Sequence, residues 1–463
     1  MEKETKLGSV IVPVLQDRNA PKKSTMGTAW AAVFTLCNAC VGAGVLAYPN
    51  VFSSAGLLLT FGLVFVIGAL EVFTLSVLAH KAQQIGTRNY QSLVYRTYGP
   101  VASVMLSITI FSYMFGALIA YMIITGDMLE ALSRRHLGDG SIFSSFSFDI
   151  LVISVAVLLP VSLKRNLNSL RHVSLFSLLA MVYLIVAVAI RSVQSLMKAD
   201  WHFSPKIRFL PEDYNGLMNA IPVISFAFVC HLQICEVACD LDNKTSLFHK
   251  RRRSSVSVGV DESQAGLARE CTSLLQPPRA FRKTSPATNS IIVATVLICA
   301  AVYSFIGAIA YVAEPTKWID TSDLLKGYSV NDNLMEVGRV ALAFAMMAGY
   351  PVQLNPCRSA VMDIIKRCAG SSRRDAWNDD VLSAIVTVCL VASSYGMAVS
   401  VRNLASIFKF IGGTVGGVLI FSIPGMMQMS YTRDVYSFRY LSGLFLFIFG
   451  IALLASTVVS YFV

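Results

Sequence analysis

Residues 35–49 read Thr-Leu-Cys-Asn-Ala-Cys-Val-Gly-Ala-Gly-Val-Leu-Ala-Tyr-Pro, inside the first long apolar stretch. A helix that only crosses a membrane needs no Asn38, no Gly42 and Gly44 pair and no Pro49. Glycine is costly inside a helix, so two glycines flanking one alanine at mid-span predict a break. Broken backbone at membrane depth is tolerated where it lines a cavity or is buried in protein. Its freed groups then bind ligands, as in many secondary transporters. The N–H groups around Gly42, Ala43, Gly44 and Val45 suit a carboxylate, because the second half-helix offers its positive end. The carbonyls around Cys40 and Val41, with the Asn38 amide, suit a cation. A second reading stays open: glycines also let helices pack closely.

Other residues of the same kind follow along the chain. Pro222-Val-Ile-Ser-Phe-Ala-Phe-Val-Cys-His231 is a second irregular polar segment, with Pro222 removing a backbone hydrogen bond. Ser225, Phe226 and Phe228 within it are expected to help set substrate selectivity. Glu71 falls deep in the second apolar stretch, and a mid-membrane carboxyl is by default a proton carrier or a cation's partner. Glu71 and His231 are therefore the proton-coupling candidates, although a carboxyl that faces the bundle in neutral form reads equally well. Gly349-Tyr-Pro351-Val-Gln-Leu-Asn-Pro356-Cys-Arg358 carries two prolines and predicts local unwinding. Arg358 reads more naturally as a snorkelling structural arginine than as part of a gate. Lys409 is expected near the outer interface. Cys37/Cys40 and Cys235/Cys239 share helix faces, but small buried residues between helices explain them better than a metal.

The elements that must position these residues are membrane helices. The chain of 463 residues is 55% hydrophobic and 14% charged, with mean hydropathy +0.62, against about a quarter charged in soluble domains. Eleven spans are expected at 29–54, 57–80, 101–127, 148–163, 172–191, 215–240, 289–313, 336–362, 380–400, 404–428 and 437–461. With the N-terminus inside, cytosolic segments hold 26 of the 38 Lys and Arg residues and outer segments hold nine. The net charge of +11 is thus a topology signal and no mark of nucleic-acid binding. The expected domains are a cytosolic tail, 1–28, and a transmembrane domain, 29–463, interrupted by a disordered cytosolic loop, 241–288. That loop holds the basic run Lys250–Arg253, which can meet anionic lipid, and the sequon Asn243-Lys244-Thr245, expected to stay unused. It also holds Ser254 in a basophilic-kinase pattern, and Glu270-Cys-Thr-Ser-Leu274-Leu275, which fits an acidic dileucine sorting signal. All ten cysteines fall in spans or on the cytosolic side, so no disulfide is expected.

Four places resemble the amino acid/auxin permease family of the amino acid–polyamine–organocation superfamily, and within it the sodium-coupled neutral amino acid transporters. They are Asn38-Ala-Cys-Val-Gly-Ala-Gly-Val-Leu, Phe226-Ala-Phe-Val-Cys-His231, the trio Tyr303, Gly307 and Tyr311, and Pro351-Val-Gln-Leu-Asn-Pro356-Cys-Arg358. The resemblance covers about residues 30–428. It implies an all-α fold of 11 transmembrane helices with a leucine-transporter-like 5+5 inverted repeat plus one. It also implies alternating access, with the amino acid carboxylate at the helix-1 break and the α-amino group at helix-6 carbonyls. In sodium-coupled members, an asparagine matching Asn38 and a helix-8 hydroxyl just before the proline matching Pro351 are implicated in sodium binding. Here that stretch reads Met347-Ala348-Gly349-Tyr350. Ala348 and Gly349 then offer only backbone oxygen beside Asn38 and Val41, and H⁺ rivals Na⁺ as coupling ion.

These readings converge on a secondary transporter of small, neutral amino acids driven by a cation gradient. Its expected partners are the amino acid substrate and membrane lipid, with no nucleic acid, no obligate protein partner, no cofactor and no metal. A sensor with little flux is the alternative; the short N-terminal tail argues against it and the 241–288 loop keeps it open. An enzyme would need a cluster of nucleophile, base and metal ligand that the sequence lacks. A lysosomal or vacuolar membrane and the plasma membrane fit equally.

Overall fold

The computed structural model describes residues 29–138, 145–163, 171–198, 204–241, 286–319, 321, 323–368, 378–432 and 434–461. The N-terminal tail, the sequon, Ser254 and the dileucine pattern lie outside these. Among the described residues the chain is all-helical. Ten helices are long and apolar enough to cross a membrane, and a bent pair makes an eleventh.

That pair is α1a, Ala29–Cys40, and α1b, Ala43–Ala55, bent by 51°. The other spans are α2 (Leu57–Ile85), α3 (Pro100–Leu137), α4 (Phe146–Leu163), α5 (Arg171–Lys198), α6 (Tyr214–Leu241) and α7 (Pro286–Ala313), followed by α8 (Asn333–Cys368), α9 (Asp379–Val401), α10 (Leu404–Met429) and α11 (Phe438–Val459). Their sequence explains their surfaces. Phe65, Met105, Leu179, Leu297 and Phe445 stay exposed on faces that meet lipid, while small and polar residues turn inward. α3 and α8 pack along each other, α1a lies against α7, and α10 bridges α6 and α11.

Two expectations need correcting. α8 is one continuous helix through Pro351 and Pro356, without local unwinding. Each proline lacks only one N–H, so the chain absorbs the loss: the carbonyls of Met347 and Val352 forfeit their helical donors and the rest of the ladder continues. Arg358 does not snorkel. It is 6% exposed and donates to the Ser162 carbonyl (3.0 Å), Thr387 Oγ1 (3.2 Å) and Asn355 Oδ1 (2.8 Å), tying α8 to α4 and α9.

On the face opposite Leu241 at the end of α6 and Pro286 at the start of α7, here called outer, α3 runs to Leu137, ten residues beyond its expected end. Ion pairs hold the extra turns. Glu130 bridges Arg134 (2.8 Å) and Arg402 (3.0 Å), and Glu336 pairs with Arg135 (2.9 Å). Arg191 reaches Asp332 at 2.5 Å, joining the end of α5 to the start of α8. Burial alone would raise the Asp332 carboxyl, but the Arg191 hydrogen bond and the N–H groups of Met335 and Leu334 outweigh it and hold it below the usual carboxylate range.

Candidate functional site

Val41 N–H closes the last turn of α1a on the Cys37 carbonyl (2.7 Å), and Gly42 N–H then turns back to Cys40 (2.8 Å). Gly42 leaves the helix with φ −131° and ψ −141°, a short 3₁₀ stretch spans Ala43–Ala47, and Pro49 opens the next helical segment. The N–H groups of Ala43 and Gly44 have no acceptor among the described residues. The break expected from sequence is therefore where Gly42 stands.

The second break is displaced from its predicted cause. α6 continues through Pro222 to Ala227 and unwinds at Phe228–Cys230, resuming with Gln233 N–H on the Cys230 carbonyl (3.1 Å). The freed carbonyls are partly taken by side chains. Tyr303 on α7 donates to Ala227 O at 2.8 Å, and the Cys40 thiol donates to Phe228 O at 3.3 Å. The Val229 carbonyl has no partner among the described residues. Tyr303 also stacks on Tyr48, with centroids 4.7 Å apart.

The two breaks meet. A Cβ on Gly44 would lie 3.1 Å from both Cα and Cβ of Ala227 and 3.6 Å from Phe226 Cδ1. Gly44 is thus both a packing glycine and part of the break, so both readings apply to it, whereas Gly42 serves the break alone. Gly42 has room, its nearest neighbour being Tyr121 Oη at 3.9 Å. Tyr121 on α3 is the residue that joins the halves of the site. Its ring lies 3.0 Å from where a Gly349 Cβ would stand, and its hydroxyl accepts from Gln353 Nε2 at 3.5 Å. Val41, Gly42, Tyr121, Ala348, Gly349 and Gln353 are all half-buried, whereas Ala43, Gly44, Val45, Ser225, Phe226 and Phe228 are buried. Ser225 Oγ is buried without a partner.

An aromatic lid covers the outer side. The Phe226 ring stacks on Phe408 of α10 (4.6 Å) and leans on Tyr113 of α3 (5.7 Å). Asn38 is half-buried in the last turn of α1a, and its amide meets no partner among the described residues. The carbonyls of Ala348 and Gly349 sit inside the continuous α8 ladder, so the helix-8 oxygen that Pro351 frees is that of Met347.

Glu71 and His231 come together. Glu71 Oε2 lies 3.7 Å from His231 Nε2, both side chains are fully buried, and neither carboxyl oxygen has a hydrogen-bond partner. Thr74 Oγ1 sits 3.0 Å from the same His231 nitrogen and 3.1 Å from the Glu71 carbonyl. Tyr48, Tyr113 and Cys230 lie within electrostatic range of the carboxyl. His231 begins the helix just after the α6 break, so the pair ties α2 to the inner side of that break.

Sequence reasoning missed Tyr121, Gln353, Thr74 and the Tyr303 hydroxyl's target. Each is a single polar group in an apolar helix, and only its neighbour in space gives it meaning. Cys37 and Cys40 lie against Cys299, and Cys40 also against Cys230. Among the described residues no His, Cys, Asp and Glu group is arranged to hold a metal.

The family model described as "Transmembrane amino acid transporter protein" matches residues 25–259 and 275–463. "Vacuolar amino acid transporter 5" of Schizosaccharomyces pombe is 23% identical over 88% of this chain and 86% of its own length. "Vacuolar amino acid transporter 2" of Saccharomyces cerevisiae is 23% identical over 93% and 83%. "Putative sodium-coupled neutral amino acid transporter 11" of Rattus norvegicus is 26% identical over 87% and 78%. With a break in α1 facing a break in α6, and a family model matched over nearly its whole length, this multi-pass membrane chain belongs to the transmembrane amino acid transporter family.

Proposed function

We propose that the chain is a secondary active transporter of small neutral amino acids, working by alternating access and coupled to a cation gradient, with H⁺ favoured over Na⁺. The observation that carries this reading is the meeting of the two breaks around Gly44 and Ala227. The free N–H groups of Ala43 and Gly44 receive the substrate carboxylate, and the unwound carbonyl of Val229 receives its α-amino group. The side chain then extends past Gly42 toward Tyr121, Gly349 and Gln353. Opening of the Phe226–Phe408 lid admits substrate from the outer side, and rocking of α1, α2, α6 and α7 against the remaining helices releases it on the other. A 5+5 inverted repeat fits this division.

The ion follows from the ligands. A sodium ion needs several oxygens, and α8 supplies carbonyls where a hydroxyl would complete the shell; an ill-coordinated buried cation costs several kcal/mol. The Glu71–His231 pair holds one proton at zero net charge, either as acid beside imidazole or as an ion pair. Losing it leaves a buried charge next to the α6 break, which couples proton occupancy to the break's geometry. A vacuolar or lysosomal membrane supplies the matching proton gradient; a plasma membrane suits sodium.

Purified protein in proteoliposomes tests this. Uptake of labelled neutral amino acid persists when choline replaces sodium and rises as pH falls on the uptake side. Glu71→Gln flattens that pH response more than it weakens substrate affinity. Strict sodium dependence without any effect of a pH gradient contradicts the proton reading.

A further inference from the structure

Outside the Phe226–Phe408 lid lies a cavity of about 400 Å³, within the range of small-molecule sites. Val223, one turn outward of the lid on α6, and Ala405, Ser406 and Lys409, flanking Phe408 on α10, line it. A second cavity of about 220 Å³ shares Asn50, Ser54, Asn219 and Ile319 with it and extends the vestibule toward Arg208, Glu212 and Asp213.

The first cavity holds one kind of charge. Lys409 is the only charged side chain among its described lining residues. The outer cations described above are paired: Arg134 and Arg402 with Glu130, Arg135 with Glu336, and Arg191 with Asp332. Lys326 meets Asp127, Arg208 meets Glu212, and Lys317 meets Glu314. Lys409 has no hydrogen bond or ion pair among the described residues. Its ammonium lies 5.4 Å from the centroid of the Tyr461 ring, a contact weaker than a carboxylate would give. The amides around it are half used. Asn403 Oδ1 accepts from Ser406 N–H (3.1 Å), leaving Nδ2 to donate. Asn50 Nδ2 donates to Trp318 O (2.8 Å), leaving Oδ1 to accept.

We propose that this vestibule is a second, outer amino-acid site, in which Lys409 and Asn403 hold the carboxylate of a zwitterion while Asn50 takes its ammonium group, ahead of passage through the lid. The proposal rests on the transport reading above but concerns a site that reading does not use.

The test uses Ser406→Cys, which places a thiol in the cavity, with the otherwise wild-type chain as the background for labelling. Each normalised to its rate with a free thiol, the anionic reagent sulfonatoethyl methanethiosulfonate is favoured over its trimethylammonioethyl counterpart, and adding Lys409→Gln lowers that normalised rate ratio about tenfold, the effect of removing one charge a few ångströms away. L-Alanine, L-glutamine and L-leucine are then tried as protectants. The half-protecting concentration of the best rises about tenfold in Lys409→Gln and stays within about twofold in Lys409→Arg, which keeps the charge. Its carboxamide, lacking the carboxylate, protects both backgrounds equally. Matching thermal unfolding of all variants shows that the fold is intact. An unchanged rate ratio, a half-protecting concentration indifferent to Lys409→Gln, or absence of protection by all three amino acids overturns the outer site. Protection without flux in proteoliposomes instead overturns the transport reading and leaves the site standing.

Discussion

Replacing Gly44 separates packing from binding, because the structure gives each substitution its own cost. An alanine Cβ would stand 3.1 Å from Ala227 Cα and Cβ, closer than an ordinary contact, so the breaks of α1 and α6 must part by a few tenths of an ångström. Overpacking of this kind costs roughly 1–3 kcal/mol, and alanine lies at the lower end because it also stiffens the unfolded chain. Valine adds two carbons to a Cβ already hemmed in by Ala227 at 3.1 Å and Phe226 Cδ1 at 3.6 Å, and falls at or above the upper end. The same displacement pulls the N–H groups of Ala43 and Gly44 off a bound carboxylate. Each charge-assisted hydrogen bond is worth about 1.5–3 kcal/mol, a loss of roughly 10- to 100-fold in affinity. Gly396→Ala on α9 is the control, since its new Cβ meets nothing within 4 Å and it lies away from the breaks. Thermal unfolding and equilibrium binding of labelled substrate on purified variants should rank wild type and Gly396→Ala as equal in both readouts, Gly44→Ala as weaker in both, and Gly44→Val as folded but without measurable binding. Wild-type affinity in Gly44→Val would refute the role given to the break.

Tyr303→Phe keeps the ring stack on Tyr48 but orphans the buried Ala227 carbonyl; a melting curve should show a loss of about 1–3 kcal/mol, and transport should slow through a lower maximal rate. Arg358→Lys cannot span the three acceptors on α4, α8 and α9, so roughly 1–3 kcal/mol of stability is lost with the substrate KM of surviving protein unchanged. Asp332 has a depressed carboxyl in the folded state, so its contribution is present above the unfolded value of about 4 and is lost as pH falls through the folded one. Melting temperature measured from pH 7 to pH 3 should therefore fall more steeply for wild type than for Asp332→Asn.

The spans were legible because apolar runs of membrane length leave little ambiguity, and the α1 break because Asn38, Gly42, Gly44 and Pro49 concentrate costs that a plain helix avoids. The irregular α6 segment reads from Pro222 to His231, and the chain unwinds inside it, at Phe228–Cys230 rather than at the proline. A proline removes one donor, but unwinding needs partners for the freed carbonyls, and those come from Tyr303 and Cys40 on other helices. The same logic misled the reading of α8, where two prolines cost two bonds and the tight packing against α3 keeps the helix whole. Glu71 and His231 were singled out separately by residue type. Their 3.7 Å approach depends on how α2 crosses α6, which no local pattern carries.

Counterflow measures the central claim most directly, because exchange needs no ion gradient. Proteoliposomes loaded with unlabelled L-alanine, L-glutamine or L-leucine are diluted into a trace of the same labelled amino acid. Alternating access through the α1–α6 site predicts transient accumulation of label above its equilibrium level for at least one of the three, abolished by Gly44→Val and retained by Gly396→Ala. Protein that binds the amino acid yet gives no overshoot, or an overshoot that survives Gly44→Val, would contradict it.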